Sequence, residues 1–144
     1  IKAMDLRFLS QPIMVGHYER DPIAGAEALI DRELLEGDLS ERYSLGLYAG
    51  GRGTATVVLR VPSGIDRQRG NLSGAVVTGL GSYDRALSPS DLTDAVRTGA
   101  LRYPLQVIDV LGEADREVPL AALLLGYNSS ANLTVAASVE ALVR

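Results

Sequence analysis

Cysteine and tryptophan are absent from this chain of 144 residues, which contains one phenylalanine and one histidine. Without cysteine there is no disulfide framework, no thiolate nucleophile and no sulfur-ligated metal. A lone histidine with no cysteine beside it makes a poor metal site. Because aromatic residues make up 5% of the chain, the core has to be built from Leu, Val, Ile and Ala. We therefore predict no bound metal and no cofactor.

Positive charge is also scarce, with 14 Lys and Arg against 18 Asp and Glu and a net charge of -4. The densest basic cluster, Arg60, Arg67 and Arg69, is too small to track a phosphate backbone, so nucleic acid is not an expected partner. The longest apolar run, 118–126, contains Pro119 and is far too short to span a membrane. No signal segment opens the chain. We expect no membrane partner and a cytoplasmic location.

The length fits a single domain at residues 1–144. Its last helical pattern, 134–144, stops without a Gly, Asn or Pro exit signal. We therefore expect this domain to be excised from a larger multidomain protein. Its expected partners are other domains of the same polypeptide or a separate protein.

Alternating strand and helix patterns run along the chain. The predicted strands lie at 5–9, 11–18, 42–48, 54–61, 75–78 and 118–125, with 42–48 and 54–61 paired as a hairpin and 118–125 central. The predicted helices run from an Asp21 cap to Leu35, from a Ser88 cap to 111 with an end or kink near Tyr103 before Pro104, and over 134–144. This order predicts an α/β fold with a mixed sheet covered by helices.

The most informative motif is Gly79-Leu80-Gly81, which follows the strand 75–78. A Gly-x-Gly turn at the carboxyl edge of a sheet lets backbone amides approach an anion, so Gly79, Gly81 and Ser82 are candidate ligand-binding residues. The motif lacks the third glycine of a dinucleotide site and the lysine of a P-loop, which favours a structural turn. Arg52 in the glycine-rich loop 50–53 could bind an anion, but we favour a solvated arginine at a hairpin tip.

His17 is the second candidate, because an imidazole can act as a general acid or base. We favour a structural histidine there and interpret the nearby Asp21 as a helix cap. The polar loop with Asn128, Ser129 and Ser130 is read as a turn and cap, with ligand binding as the alternative. Neither Ser82 nor Ser129 lies in a Gly-x-Ser-x-Gly motif, so we assign no catalytic residue.

Segments 75–81 and 87–92, ahead of an Ala-rich helix, together resemble the amino-terminal domain of the cytosol (leucyl) aminopeptidases. Segment 121–127, with its Leu-Gly-Tyr ending, looks like the closing apolar strand of that domain. The resemblance covers residues 40 to 128 and implies a three-layer α/β/α macro-like fold with a mixed sheet. In that family the domain is not catalytic, and the zinc-binding half has no counterpart here. The resemblance therefore implies no peptidase activity.

Three functions remain open at this point. The favoured one is a non-catalytic accessory or interaction domain of a larger protein. The alternative is a binding module for a nucleotide-type ligand such as ADP-ribose, held by loops 16–21, 79–83 and 127–132. The third is a hydrolase that uses His17 or Ser129.

Overall fold

A mixed sheet in the order β2-β3-β1-β4 forms the middle layer of the part of the chain that the structure describes. The structure is a computed structural model, and it describes residues 5–60, 72–112, 117–127 and 132–143. The strands are β1 (Ile13–Tyr18), β2 (Ala55–Arg60), β3 (Ser73–Gly81) and β4 (Ala121–Ala122). β1 is parallel to both β3 and β4, and β2 is antiparallel to β3. Three strands therefore end at the same edge of the sheet.

Helices cover both faces of this sheet. They are α1 (Gly25–Leu34), α2 (Asp38–Ser44), α3 (Pro89–Leu111) and α4 (Val135–Val143), and a short 3-10 turn spans Leu6–Phe8.

Side chains of β1 alternate between two apolar clusters, as a strand covered on both faces requires. Ile13 and Val15 pack with Ile30 of α1. Met14 packs on the opposite face with Leu92 of α3. The predicted α/β macro-like fold, with a mixed sheet between two helical layers, is confirmed.

Helix α3 begins at the predicted cap and reaches the predicted end at Leu111, without ending near Tyr103. Ser88 and Asp91 form a capping box, in which the Ser88 hydroxyl accepts from the Asp91 amide and the Asp91 carboxylate accepts from the Ser88 amide. The helix then continues through Pro104 to Leu111 and stops before Gly112, whose φ is 73°. Tyr103 is buried and donates from its hydroxyl to Pro119 O at 3.0 Å. Tertiary packing thus offsets the one hydrogen bond that proline removes.

The predicted strand 42–48 is wrong, because most of it belongs to α2 and the turn that follows. Asp31 of α1 caps α2 from outside: its carboxylate accepts from the amides of Leu39 at 2.8 Å and Ser40 at 3.1 Å. A cap supplied by another helix leaves no local sequence signal. The strand 54–61 therefore has no hairpin partner at 42–48, and β2 pairs with β3 instead.

Three further predictions are corrected. Segment 118–125 contributes only β4, and β4 lies at the edge of the sheet beside β1 rather than at its centre. The central strands of the described sheet are β3 and β1, which the parallel ladder joins. The first helix begins at Gly25 with Ala24 as its N-cap, so Asp21 is not the cap. Segment 5–9 holds a 3-10 turn instead of a strand.

Candidate functional site

The carboxyl ends of β1, β3 and β4 meet at a cleft of about 630 Å³, a size that suits a small-molecule ligand. Three stretches supply its walls: the end of β1 with the segment leading into α1, the end of β3, and the segment after β4. The described lining residues are Val15, Gly16, His17, Tyr18, Asp21, Pro22, Ala24, Gly25, Ala26, Glu27, Leu80, Tyr83, Leu123, Leu124, Leu125, Gly126 and Tyr127.

The amino end of α1 forms one wall of the cleft. Its N-cap, Ala24, is in extended conformation and offers no side-chain cap. The first amides of a helix have no acceptor within the helix, and they carry the positive end of its dipole. The amides of Gly25, Ala26 and Glu27 are therefore available to an anionic group of a ligand.

Fixed side-chain charge in the cleft is negative. The lining includes one histidine and two carboxylate residues: His17, Asp21 and Glu27. No Lys or Arg is among the described lining residues. His17 and Glu27 form a buried pair, with His17 Nδ1 at 2.9 Å from Glu27 Oε2 and 3.2 Å from Oε1. Since a carboxylate only accepts, the Nδ1 atom carries the proton that it donates. A bound anion would thus depend on backbone amides.

His17 lies on the α1 and α2 side of β1, packed edge-on against two tyrosine rings. The centroid of its ring is 4.8 Å from that of Tyr48 and 6.0 Å from that of Tyr43. Its side chain is 4% exposed. Burial, and secondarily the carboxylates of Glu27 and Asp31, raise the pKa of Tyr48, so its phenol stays protonated near neutral pH. The arrangement holds His17 firmly in place.

Gly79 and Gly81 lie under the turn that precedes β2. The Gly79 amide donates to Thr54 O at 2.9 Å, and the Gly81 amide donates to Gly50 O at 2.8 Å. Above Gly81, Arg52 donates to Asp91 Oδ1 at 2.6 Å and to Ala86 O at 3.2 Å. Arg52 is therefore exposed but bonded across the fold, and the predicted hairpin that would place it at a tip is absent.

The structure brings part of the predicted site together. His17 lines the cleft, while Gly79, Gly81 and Ser82 are not among its described lining residues. The remaining candidates, Asn128, Ser129 and Ser130, lie outside the described residues. Each of the three predicted loops nevertheless contributes to the cleft, through His17, Leu80 and Tyr127 among others. Ligand binding by the named residues stays a prediction.

Two features of the cleft were missed from the sequence. The amino end of α1 was overlooked because Ala24 carries no capping signal, whereas Asp21-Pro22 carries a strong one. Tyr18 falls in the predicted loop 16–21 but was not named as a candidate residue, because its place at the end of β1 and in the cleft wall depends on packing.

No metal site or membrane span appears in the described part of the chain. Across residues 5–60, 72–112, 117–127 and 132–143, no three His, Asp or Glu side chains are grouped so that they could hold a metal ion. No helix within those same ranges is both long and apolar enough to cross a membrane.

The sheet, its helical layers and the cleft at the parallel strand ends define a macrodomain-like fold. Among solved structures, the chain is similar to the macrodomain of Mycobacterium tuberculosis DarG, with a TM-score of 0.61 and 14% sequence identity over 99% of this chain and 85% of that one. Neither the protein-family models nor the curated proteins compared with the sequence gave a match. At this identity the likeness shows the fold alone.

Proposed function

We propose that this protein is a binding module for a nucleotide-type ligand of the ADP-ribose class, held in the cleft at the carboxyl edge of its sheet. The observation that carries the proposal is the uncapped amino end of α1 in the wall of that cleft. Ligands of open α/β sheets bind at such edges, and backbone amides at a helix start suit a pyrophosphate.

The chemistry of the lining narrows the ligand further. Tyr83 and Tyr127 are half-exposed at the cleft and offer faces on which a base can stack. Asp21 and the absence of cationic lining side chains among the described residues disfavour a ligand with several negative charges. A pyrophosphate esterified at both ends fits this cleft better than a nucleoside triphosphate.

Binding is tested by calorimetry with ADP-ribose, for which we expect heat and a single site. The absence of heat at millimolar ADP-ribose would refute the proposal. ATP serves as the comparison ligand and should bind more weakly, because its terminal phosphate adds negative charge beside Asp21.

The substitution Ala24→Asp tests where the anion is held. An aspartate at this N-cap would accept from the first-turn amides and complement the helix dipole, which should raise the free energy of unfolding by about 1 kcal/mol. The same carboxylate would occupy the proposed anion site, so the affinity for ADP-ribose should fall by about tenfold or more, equivalent to about 1.4 kcal/mol. Urea unfolding and calorimetry measure the two effects.

Ala24→Asn is the matched control, since asparagine caps a helix equally well without adding charge. It should stabilise the protein to a similar degree and weaken binding less. If Ala24→Asp binds ADP-ribose as tightly as the parent protein, the ligand does not contact the start of α1.

A second candidate is the non-catalytic accessory or interaction domain, related to the amino-terminal domain of the aminopeptidases. The observation that favours it is a set of exposed leucines around α3 and the segment before β2, each more than 60% exposed: Leu45, Leu47, Leu101 and Leu105. Leu47 and Leu105 line one shallow depression, and Leu45 and Leu47 line its neighbour. Such a surface suits a partner protein or another domain of the same polypeptide. The hydrolase alternative stays untested, because His17 lines the cleft with Nδ1 bonded to Glu27 and Ser129 lies outside the described residues.

A further inference from the structure

Tyr18 carries a buried hydroxyl group without a partner. The residue is 8% exposed, and its hydroxyl oxygen has no hydrogen-bond partner in the described structure. A desolvated hydroxyl left unpaired is costly, and native proteins rarely keep one without a reason. The tyrosine therefore calls for an explanation beyond packing.

The position of Tyr18 suggests that explanation. Tyr18 is the last residue of β1 and follows an irregularity in the ladder, so that it lies opposite Gly81. Its ring belongs to the apolar cluster under α3 and meets the ring of Tyr83 edge-on, with centroids 5.5 Å apart. Tyr18 and Tyr83 both line the cleft.

Two other buried polar groups in the described residues lack partners, Tyr48 Oη and Ser138 Oγ. Neither residue is among the described lining residues of the cleft. Of the three groups, Tyr18 is thus the one whose residue forms part of the cleft wall. A ligand in the cleft would give the Tyr18 hydroxyl the acceptor that the described residues do not provide.

We propose that the Tyr18 hydroxyl donates a hydrogen bond to a sugar or phosphate oxygen of the ligand in the cleft. This inference rests on the proposed function and makes Tyr18 a specificity-determining residue of the same site. Because no Lys or Arg is among the described lining residues, a phenolic donor supplies recognition that cationic side chains often supply elsewhere. The hydroxyl has no partner among the described residues and becomes paired on binding.

The test is Tyr18→Phe, which removes the hydroxyl and keeps the ring that packs on Tyr83. In the free protein the midpoint of thermal unfolding should stay the same or rise, because an unpaired buried group is lost. The affinity for ADP-ribose, measured by calorimetry, should fall by about tenfold. A purely structural role for the hydroxyl would instead lower the unfolding midpoint and leave the affinity unchanged.

Tyr48→Phe is the matched control, since it removes another unpaired buried hydroxyl that is not part of the described cleft wall. It should affect thermal unfolding as Tyr18→Phe does and leave the affinity for ADP-ribose unchanged. Equal affinities for the parent protein and Tyr18→Phe would overturn the role of Tyr18 and leave the proposed function intact. Equal losses in both variants would also overturn it. A parent protein that binds no ADP-ribose would overturn both proposals.

Discussion

Replacing Gly79 by alanine is expected to lower the free energy of unfolding by about 3 kcal/mol or more, a large part of the total stability of an ordinary domain. A Cβ atom at this position would overlap Gly51 O and lie 2.5 Å from Thr54 Oγ1 and 2.8 Å from Gly50 O. Two of these atoms are backbone carbonyl oxygens of the turn that covers the end of β3. Urea unfolding followed by circular dichroism measures the loss.

That turn cannot easily move away from an added methyl group. Thr54 O and Gly50 O accept hydrogen bonds from the amides of Gly79 and Gly81, so displacing the turn would break bonds at the carboxyl end of β3. Each lost hydrogen bond adds about 1 kcal/mol to the cost of the steric overlap.

Gly99→Ala provides the comparison, because Gly99 is also buried against the sheet but meets side chains. Its added Cβ would lie 2.5 Å from Thr78 Cγ2 and 3.0 Å from both Met14 Cε and Val76 Cγ1. The methionine end can shift, and alanine gains about 1 kcal/mol of helix propensity over glycine. We expect a clearly smaller loss than for Gly79→Ala. Equal losses would mean that backbone contact is not what makes Gly79 necessary.

The Gly-Leu-Gly motif lies within β3, so the turn expected after strand 75–78 is wrong, and these contacts give the motif a packing role inside the strand instead. The two glycines let the turn at 50–54 approach the strand, and Arg52 then closes over Gly81 to reach Asp91. The amides that were expected to face an anion are bonded to carbonyl groups of the turn. Anion binding in the proposed site relies instead on the start of α1.

Elements with local signals were the ones that the sequence predicted well. The Ser88 capping box lies within four consecutive residues, and the predicted strand 75–78 lies inside β3, which is largely apolar. α2 was mistaken for a strand because its cap is the Asp31 carboxylate of another helix. Whether a strand lies at the edge or at the centre of a sheet depends on which strands pair with it. Hydrophobicity alone therefore predicted a central position for β4, which is wrong.

In the candidate site, too, some features were predictable from the sequence and others were not. Its loops were predictable because strands that run in parallel end at one edge, whatever the residues are. The position of the start of α1 was not predictable, since alanine is a poor N-cap residue and Ala24 gives no capping signal. An N-cap that leaves amides open is a departure from local preference, and such departures are expected at functional sites. The unpaired hydroxyl of Tyr18 is visible only once its neighbours are known.

Glu27→Ala is expected to cost about 3 kcal/mol of unfolding free energy, because it removes one partner of a buried pair. His17 is 4% exposed and Glu27 7%, and with alanine the His17 Nδ1–H would lose its acceptor at 2.9 Å. Glu27→Gln keeps an acceptor of the same shape and should cost clearly less. The double variant His17→Ala, Glu27→Ala should cost less unfolding free energy than the sum of the two single variants, since the second deletion removes a group already left unpaired. Additive losses, measured by urea unfolding, would show that the pair is not coupled.

Glu27 lies in the first turn of α1, so its bond to His17 also joins the proposed anion site to β1. We therefore expect Glu27→Ala to weaken ADP-ribose binding and Glu27→Gln largely to preserve it.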